Sequence, residues 1–362
     1  MKRNAFIDHI RIVLTALVIL HHTAIVYGGG GSWYWVQEEQ FTNLSLLFFN
    51  VVNQSFFMGF FFLFAGYYTP ASFARKGIKR FWVERLQRLA VPLMAYFFII
   101  SPITKALARR STDQPFWAEL VNMVQWQEFE PGPLWFAEAL LIFAALYSLW
   151  ILIRPKSLKK LSISRIHHGW ILCGALIIGL VTFLVRLLIP VGENWGFLQL
   201  GYFPPYVLLF IVGCALAQSK GLEKVQWREA SPWALVSVLA LGIMAVRFTD
   251  ILTEGGILGG WHVNAGFYAM WDTFAAVGII LMMLWGFNKY WSSEHPLTVW
   301  IARRAFATYI VHPPVIVVLS MAAQSWAMSP LLKFGVVGTL SIIGSVFVAS
   351  TLLAIPGVKK II

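Results

Sequence analysis

Charge is scarce in this chain. Only 12% of its 362 residues are charged while 59% are hydrophobic, and charged residues make up about 25% of a typical soluble domain. So few charges cannot cover a soluble surface of this size. A water-soluble globule is excluded, and lipid must solvate much of the chain. Acids are scarcer than bases, 16 against 28, for a formal net charge of +12. Such an excess can mark a nucleic-acid binder, but here the basic residues form short runs between apolar segments, as in cytoplasmic loops that face an anionic leaflet. The expected partner is the lipid bilayer, with no nucleic acid. Two cysteines, Cys173 and Cys214, both fall inside apolar segments, so no disulfide framework is expected. Long polar stretches are lacking, which leaves no room for an attached soluble domain, and no internal repeat is evident.

What the chain does have is apolar length. A span needs about 20 apolar residues, and runs of that kind lie near 10–28, 44–66, 89–107, 133–153, 169–190, 203–219, 231–250, 266–287, 305–326 and 331–354. The predicted fold is an all-α polytopic helical bundle of about ten spans. Lys2 and Arg3 before an apolar run resemble a signal peptide, but Arg11, His21 and His22 within that run mark a retained first span. Gly28 to Gly31 cannot continue a helix cheaply, so that span should end there. With both termini in the cytoplasm, 22 of the 28 basic residues fall on the inner side. Lys105, Arg109, Arg110, Arg186, Arg247 and Lys333 remain outside. This bias appears only for an even number of spans. The outer loops carry Glu38, Glu39, Glu128, Glu130, Glu193, Asp250 and Glu254 beside Trp33, Tyr34, Trp35, Trp126, Trp195 and Trp261. These read either as an acceptor site or as an interfacial aromatic belt with ordinary loop acids.

The first span carries the most chemistry. Arg11 and His22 are eleven residues apart, which on an α-helix is within roughly 20° of three full turns and a rise of about 16 Å. They share a face, with Arg11 near the inner surface and His22 well inside the membrane. Ionisable groups at that depth face a protein interior or a wet cavity. Desolvation favours a neutral imidazole, the form that can take a proton from a hydroxyl. The competing reading is a histidine that bonds a neighbouring helix; His21, about 80° around the helix from Arg11, fits packing better. Further on, a Phe-rich run from Phe56 ends at Gly66, and a basic loop ends in Arg85-Leu-Gln-Arg88 with Pro92 beyond. Two guanidiniums three residues apart share a helical face and suit phosphate; lipid-headgroup contact is the plainer use.

These motifs, followed by Leu134-Trp135-Phe136 and Tyr309-Ile-Val-His312, occur in the order seen in the acyltransferase-three family of ten-span membrane O-acyltransferases, which nearly the whole chain resembles. The Gly132-Pro-Leu-Trp-Phe136 segment looks closest to the glucan-modifying branch. Where the family often has Ser before the glycine, this chain has Ala65. The resemblance implies one membrane acyltransferase domain over 1–362 in a bacterial cytoplasmic membrane. The implied reaction moves an acetyl or succinyl group from cytoplasmic acyl-CoA to a hydroxyl of an extracytoplasmic glycan or glycolipid. It implies His22 as the essential histidine with Arg11 as its partner, and Arg85 and Arg88 on the donor side. Trp135, Tyr309 and His312 join them as candidates for substrate binding. Acyl-CoA would be a substrate; no permanently bound cofactor and no metal are expected.

Other buried polar residues are open to two uses. Glu138, one turn into the fourth span, could orient His22 or contact the acceptor, or pair with a neighbouring span. Asn50, Asn53 and Gln54 could line a polar path or bond between helices. Asp272 is similar. Arg186 and Arg247 could meet an acidic acceptor, though snorkelling to the interface is commoner. Pro313-Pro314 should distort the ninth span after His312. A glycan or lipid transporter is the rival function, but the paired broken helices and inverted repeats common in transporters are not evident. A sensor or scaffold leaves the buried Arg11/His22 face unexplained.

Overall fold

The computed structural model describes residues 4–110, 115–154 and 167–362. Lys2, Arg3, Lys156, Lys159, Lys160 and Arg165, counted above with the inner basic residues, lie outside the described residues. Among those described, the chain is helical without a β-strand, and pairing is limited to the isolated bridges Tyr27–Glu38 and Trp195–Leu198.

Nine helical segments among the described residues are long and apolar enough to cross a membrane. They hold all ten expected runs, because one of them, Leu44–Arg109, is 66 residues long. At 1.5 Å per residue, that is far more helix than one crossing of a hydrocarbon core of about 30 Å takes. Its first helix, α2 (Leu44–Arg85), is interrupted at Gly77, where φ is +67°. Beyond α2 come a π turn (Leu86–Ala90), α3 (Val91–Ala95), a second π turn (Tyr96–Ile100) and α4 (Ser101–Arg109). Each π turn lies just before a proline, Pro92 and Pro102, whose missing N–H removes an i→i−4 bond and disturbs the ladder.

The chain divides into two compact units. The first comprises Met1–Ile10, Val52–Phe81 and Phe143–Glu294. It contains α7 (His168–Leu188), α8 (Phe203–Ala217), α9 (Trp227–Glu254) and α10 (Val263–Tyr290). Small residues let its helices touch by their backbones. A Cβ on Gly66 would meet the Phe210 carbonyl, one on Gly213 the Leu63 carbonyl, and one on Gly278 the Trp233 carbonyl. Within the Phe-rich run, Phe60 and Phe62 are fully buried, and Phe62 packs on Phe143 and Tyr206, each with ring centroids 5.0 Å away.

Arg186 neither snorkels nor reaches an acceptor. It is 0% exposed, ion-paired to Asp272 at 3.0 Å and bonded through Nε to the Gly201 carbonyl at 3.0 Å. Tyr202 and Tyr268 rings lie 5.4 and 4.9 Å from its guanidinium. The expectation of a surface arginine fails because the partner acid, Asp272, is itself buried inside the same unit.

The second unit comprises Arg11–Val51, Trp82–Ile142 and His295–Ile362. It contains α5 (Phe116–Gln125), α12 (Ala305–Ala322) and α13 (Pro330–Ala354), together with most of α1 (Ala5–Val26) and the first half of α6 (Trp135–Ile153). Ile19, Val26, Tyr27, Leu46, Ile316 and Val337 belong to one buried core cluster. Most of the basic residues placed outside find partners. In this unit Lys105 meets Glu130 at 3.1 Å, Arg109 meets Glu128 at 2.8 Å, and Lys333 reaches the Gln324 carbonyl at 3.1 Å. In the first unit Arg247 faces Glu254 at 3.8 Å.

Removing one partner of a buried ion pair costs about 3–5 kcal/mol. Arg186→Ala is therefore expected to lower the thermal midpoint of the detergent-solubilised protein sharply, and Arg247→Ala, at a half-exposed pair, to leave it nearly unchanged. Equal midpoints for the two variants would contradict the packing of the first unit.

Candidate active site

The site in the second unit is built from a missing hydrogen bond. Pro313 has no N–H to give to the carbonyl four residues back in α12, and that carbonyl belongs to Tyr309. The His312 ring takes it instead, with Nδ1 at 2.6 Å from the Tyr309 oxygen. This is why α12 runs unbroken through Pro313 and Pro314 where the sequence predicts a distortion. A carbonyl only accepts, so His312 Nδ1 carries the proton. In a neutral ring the other nitrogen then has a bare lone pair. His312 Nε2 lies 3.0 Å from His22 Nδ1, so His22 Nδ1 donates and His22 Nε2 is left bare. His312 is fully buried, whereas His22 keeps partial exposure. The arrangement leaves a basic lone pair on the one imidazole of the pair that a substrate can reach.

Loop 27–43 closes over this pair. The last carbonyls of α1 lack helical partners, and the loop supplies them. Gly29 N donates to Ala24 O at 2.9 Å and Gln37 N to Val26 O at 2.9 Å. Gly28 makes the turn at φ +98°, where a side chain is strained and a Cβ would also lie 2.5 Å from Thr42 Oγ1. Asn50 Nδ2 fixes the loop further through the Gly30 carbonyl at 2.9 Å. The result brings Trp33 onto His22, with ring centroids 4.0 Å apart and planes 16° from parallel.

Next to it, Tyr34 Oη bonds Tyr96 Oη at 2.8 Å. Burial, and then the Glu130 charge, push the Tyr34 phenol well above its ordinary pKa, so it stays a neutral hydroxyl. Gly132, at φ +48°, leaves room for both phenols, since a Cβ there would meet Tyr34 Oη and the Tyr96 ring. Tyr309 donates its hydroxyl to the Pro133 carbonyl and packs edge-on against Phe136, 6.3 Å away. Trp135 is half-buried beside Phe136.

The structure thus brings together His22, His312 and Tyr309. Arg11 lies three helical turns from His22, about 16 Å along α1, too far to touch the ring. Glu138 is half-buried, and His22 Nδ1 is held by His312. Arg85 ends α2 and is half-buried, while Arg88 falls in the π turn and is exposed. A π turn takes more residues than an α turn, so the two guanidiniums do not share a face as closely as an α-helix predicts. Asn53 is buried in the first unit, where Gln54 Nε2 donates to Tyr206 Oη at 3.1 Å. Trp33 and Tyr34, which the sequence leaves open between an acceptor site and an interfacial belt, lie beside the imidazole pair. The one hint was the glycine run before them, which turns the chain back. Trp126, Trp195 and Trp261 are 77%, 73% and 84% exposed, as belt residues are.

A multi-pass helical membrane protein with a hydrogen-bonded imidazole pair under an aromatic cover is the class that fold and site define. The chain belongs to the acyltransferase-three family, whose acyltransferase domain matches residues 4–352, and is a membrane acyltransferase on that ground. It is similar to glucans biosynthesis protein C of Escherichia coli O81 (strain ED1a), 23% identical over 342 residues that cover 87% of this chain and 82% of the relative. Glucans biosynthesis protein C of Escherichia coli strain K12 is 31% identical over a shorter stretch of 93 residues, 26% of this chain and 23% of that protein. No solved structure matches.

Gly28→Ala is expected to destabilise the protein by about 1–3 kcal/mol, the usual cost of a side chain forced into such backbone, read as a lower thermal midpoint. An unchanged midpoint would contradict the turn that seats loop 27–43.

Proposed function

We propose that this protein transfers an acyl group, acetyl or succinyl, from cytoplasmic acyl-CoA to a hydroxyl of a glycan or glycolipid on the outer side of a bacterial cytoplasmic membrane, with both of its own termini in the cytoplasm. The observation that carries the reading is the His22–His312 pair, which leaves His22 Nε2 bare, reachable and oriented. The family and the printed name of the relatives support acyl transfer and a glucan-type acceptor. The surplus of basic residues on one side supports the orientation.

The acceptor hydroxyl gives its proton to His22 Nε2 as its oxygen attacks the thioester carbonyl. The carbon–sulfur bond of the resulting tetrahedral intermediate breaks, and the departing thiolate takes the proton back from His22. The products are the O-acyl ester and free CoA, and His22 ends as it began. His312 holds the ring and shares the positive charge through Nδ1. Arg85, Arg88 and Arg11 fit the phosphates of CoA, with Trp135 and Tyr309 among the groups that shape binding. An acyl-histidine intermediate uses the same lone pair. The transporter reading has no use for a base oriented by a second imidazole.

General-base assistance contributes about 10²–10⁴-fold. In nanodiscs the wild-type protein is expected to release CoA from acetyl-CoA or succinyl-CoA in the presence of a glucan acceptor. Folded His22→Ala should lose activity by about that factor. Arg85→Ala should act mainly on KM for the donor. Equal release by wild type and His22→Ala would remove His22 as the base, and no turnover with any donor would favour the transporter.

A further inference from the structure

The proton-bearing groups around His22 are nearly all committed. Both imidazole Nδ1 protons are used in the chain to the Tyr309 carbonyl. The Tyr309 hydroxyl is given to the Pro133 carbonyl, and the hydroxyls of Tyr34 and Tyr96 bond each other. Trp33 differs. Its ring is stacked on His22, yet its Nε1 is fully buried and has no hydrogen-bond partner among the described residues. A buried indole N–H usually finds an acceptor, and leaving one without is costly. Loop 27–43 is tied back to α1 by several backbone bonds, so this N–H is held in place rather than left over. The N–H belongs to a ring stacked face to face on the base, with centroids 4.0 Å apart.

Acyl transfer requires such a donor. When the hydroxyl attacks, the carbonyl oxygen of the acyl group becomes an oxyanion, and a preorganised N–H in a dry site is the usual means of holding it. An indole suits this place, because it donates without adding a charge that must be desolvated.

We propose that Trp33 is a catalytic residue whose Nε1–H donates to the acyl carbonyl oxygen of the bound donor and to the oxyanion formed from it. The proposal rests on the acyl-transfer reading above.

The test is made on the full chain in nanodiscs with 15N-labelled tryptophan. The Trp33 indole resonance is the one lost in Trp33→Phe, a variant that keeps the stacked face and removes the N–H. The probe is a ketone analogue of acetyl-CoA with the thioester sulfur replaced by CH2, which keeps the carbonyl and cannot transfer. On binding, the Trp33 indole proton is expected to move downfield. In turnover, Trp33→Phe should lower kcat by about 10²–10³-fold, the cost of one oxyanion donor, with KM little changed. A stable analogue complex in which the Trp33 resonance stays still, or wild-type kcat in a folded Trp33→Phe, would overturn the assignment while leaving acyl transfer in place. Failure of wild type to bind the analogue at all would remove the acyl-CoA reading and this proposal with it.

Discussion

Hydrocarbon offers no hydrogen bonds, and most of what is specific in this protein follows from that constraint. A polar group at membrane depth must find its partner inside the protein. In the first unit Arg186 finds Asp272, a backbone carbonyl and two aromatic faces. In the second, Lys105 and Arg109 are matched by Glu130 and Glu128, which follow α5. Of the six basic residues that the sequence pattern leaves off the basic side, five thus have an internal partner.

The same constraint makes the site. Pro313 leaves a carbonyl without its helical donor in surroundings where water cannot serve. His312 fills the vacancy, and the bond decides which nitrogen of His312 is bare, then which nitrogen of His22 is bare. A backbone defect one residue from a histidine is thereby turned into a fixed tautomer on a second histidine 290 residues away in the chain. Structural satisfaction and catalytic preparation are here one chain of hydrogen bonds.

Much of this was legible from residues alone. The spans follow from apolar length, and the end of α1 from Gly28 to Gly31. Gly66 could be singled out as the end of the Phe-rich run, although its reason, the Phe210 backbone across the interface, could not. The His22–His312 bond was not legible either, because it joins elements far apart in sequence and periodicity does not report pairing. Trp33 was hidden by its company. Among loop aromatics, one that folds back over a helix end looks like one that lies in the headgroups until the backbone bonds of the loop are known. Arg186 was misread for a related reason: nothing in a single helix shows that a partner acid is buried within reach. The Arg85/Arg88 face was read on α-helical geometry, which the π turn at Leu86–Ala90 alters.

The central claim is that the Tyr309 carbonyl fixes both imidazoles with Nδ1 protonated and Nε2 bare. The most direct measurement is 15N NMR of histidine-labelled protein in nanodiscs, with His22 and His312 assigned by single substitutions. Both rings are expected as neutral Nδ1–H tautomers, with a scalar coupling between His22 Nδ1 and His312 Nε2 across their hydrogen bond. A protonated Nε2 on His22, or independent rings with no coupling, would contradict the account.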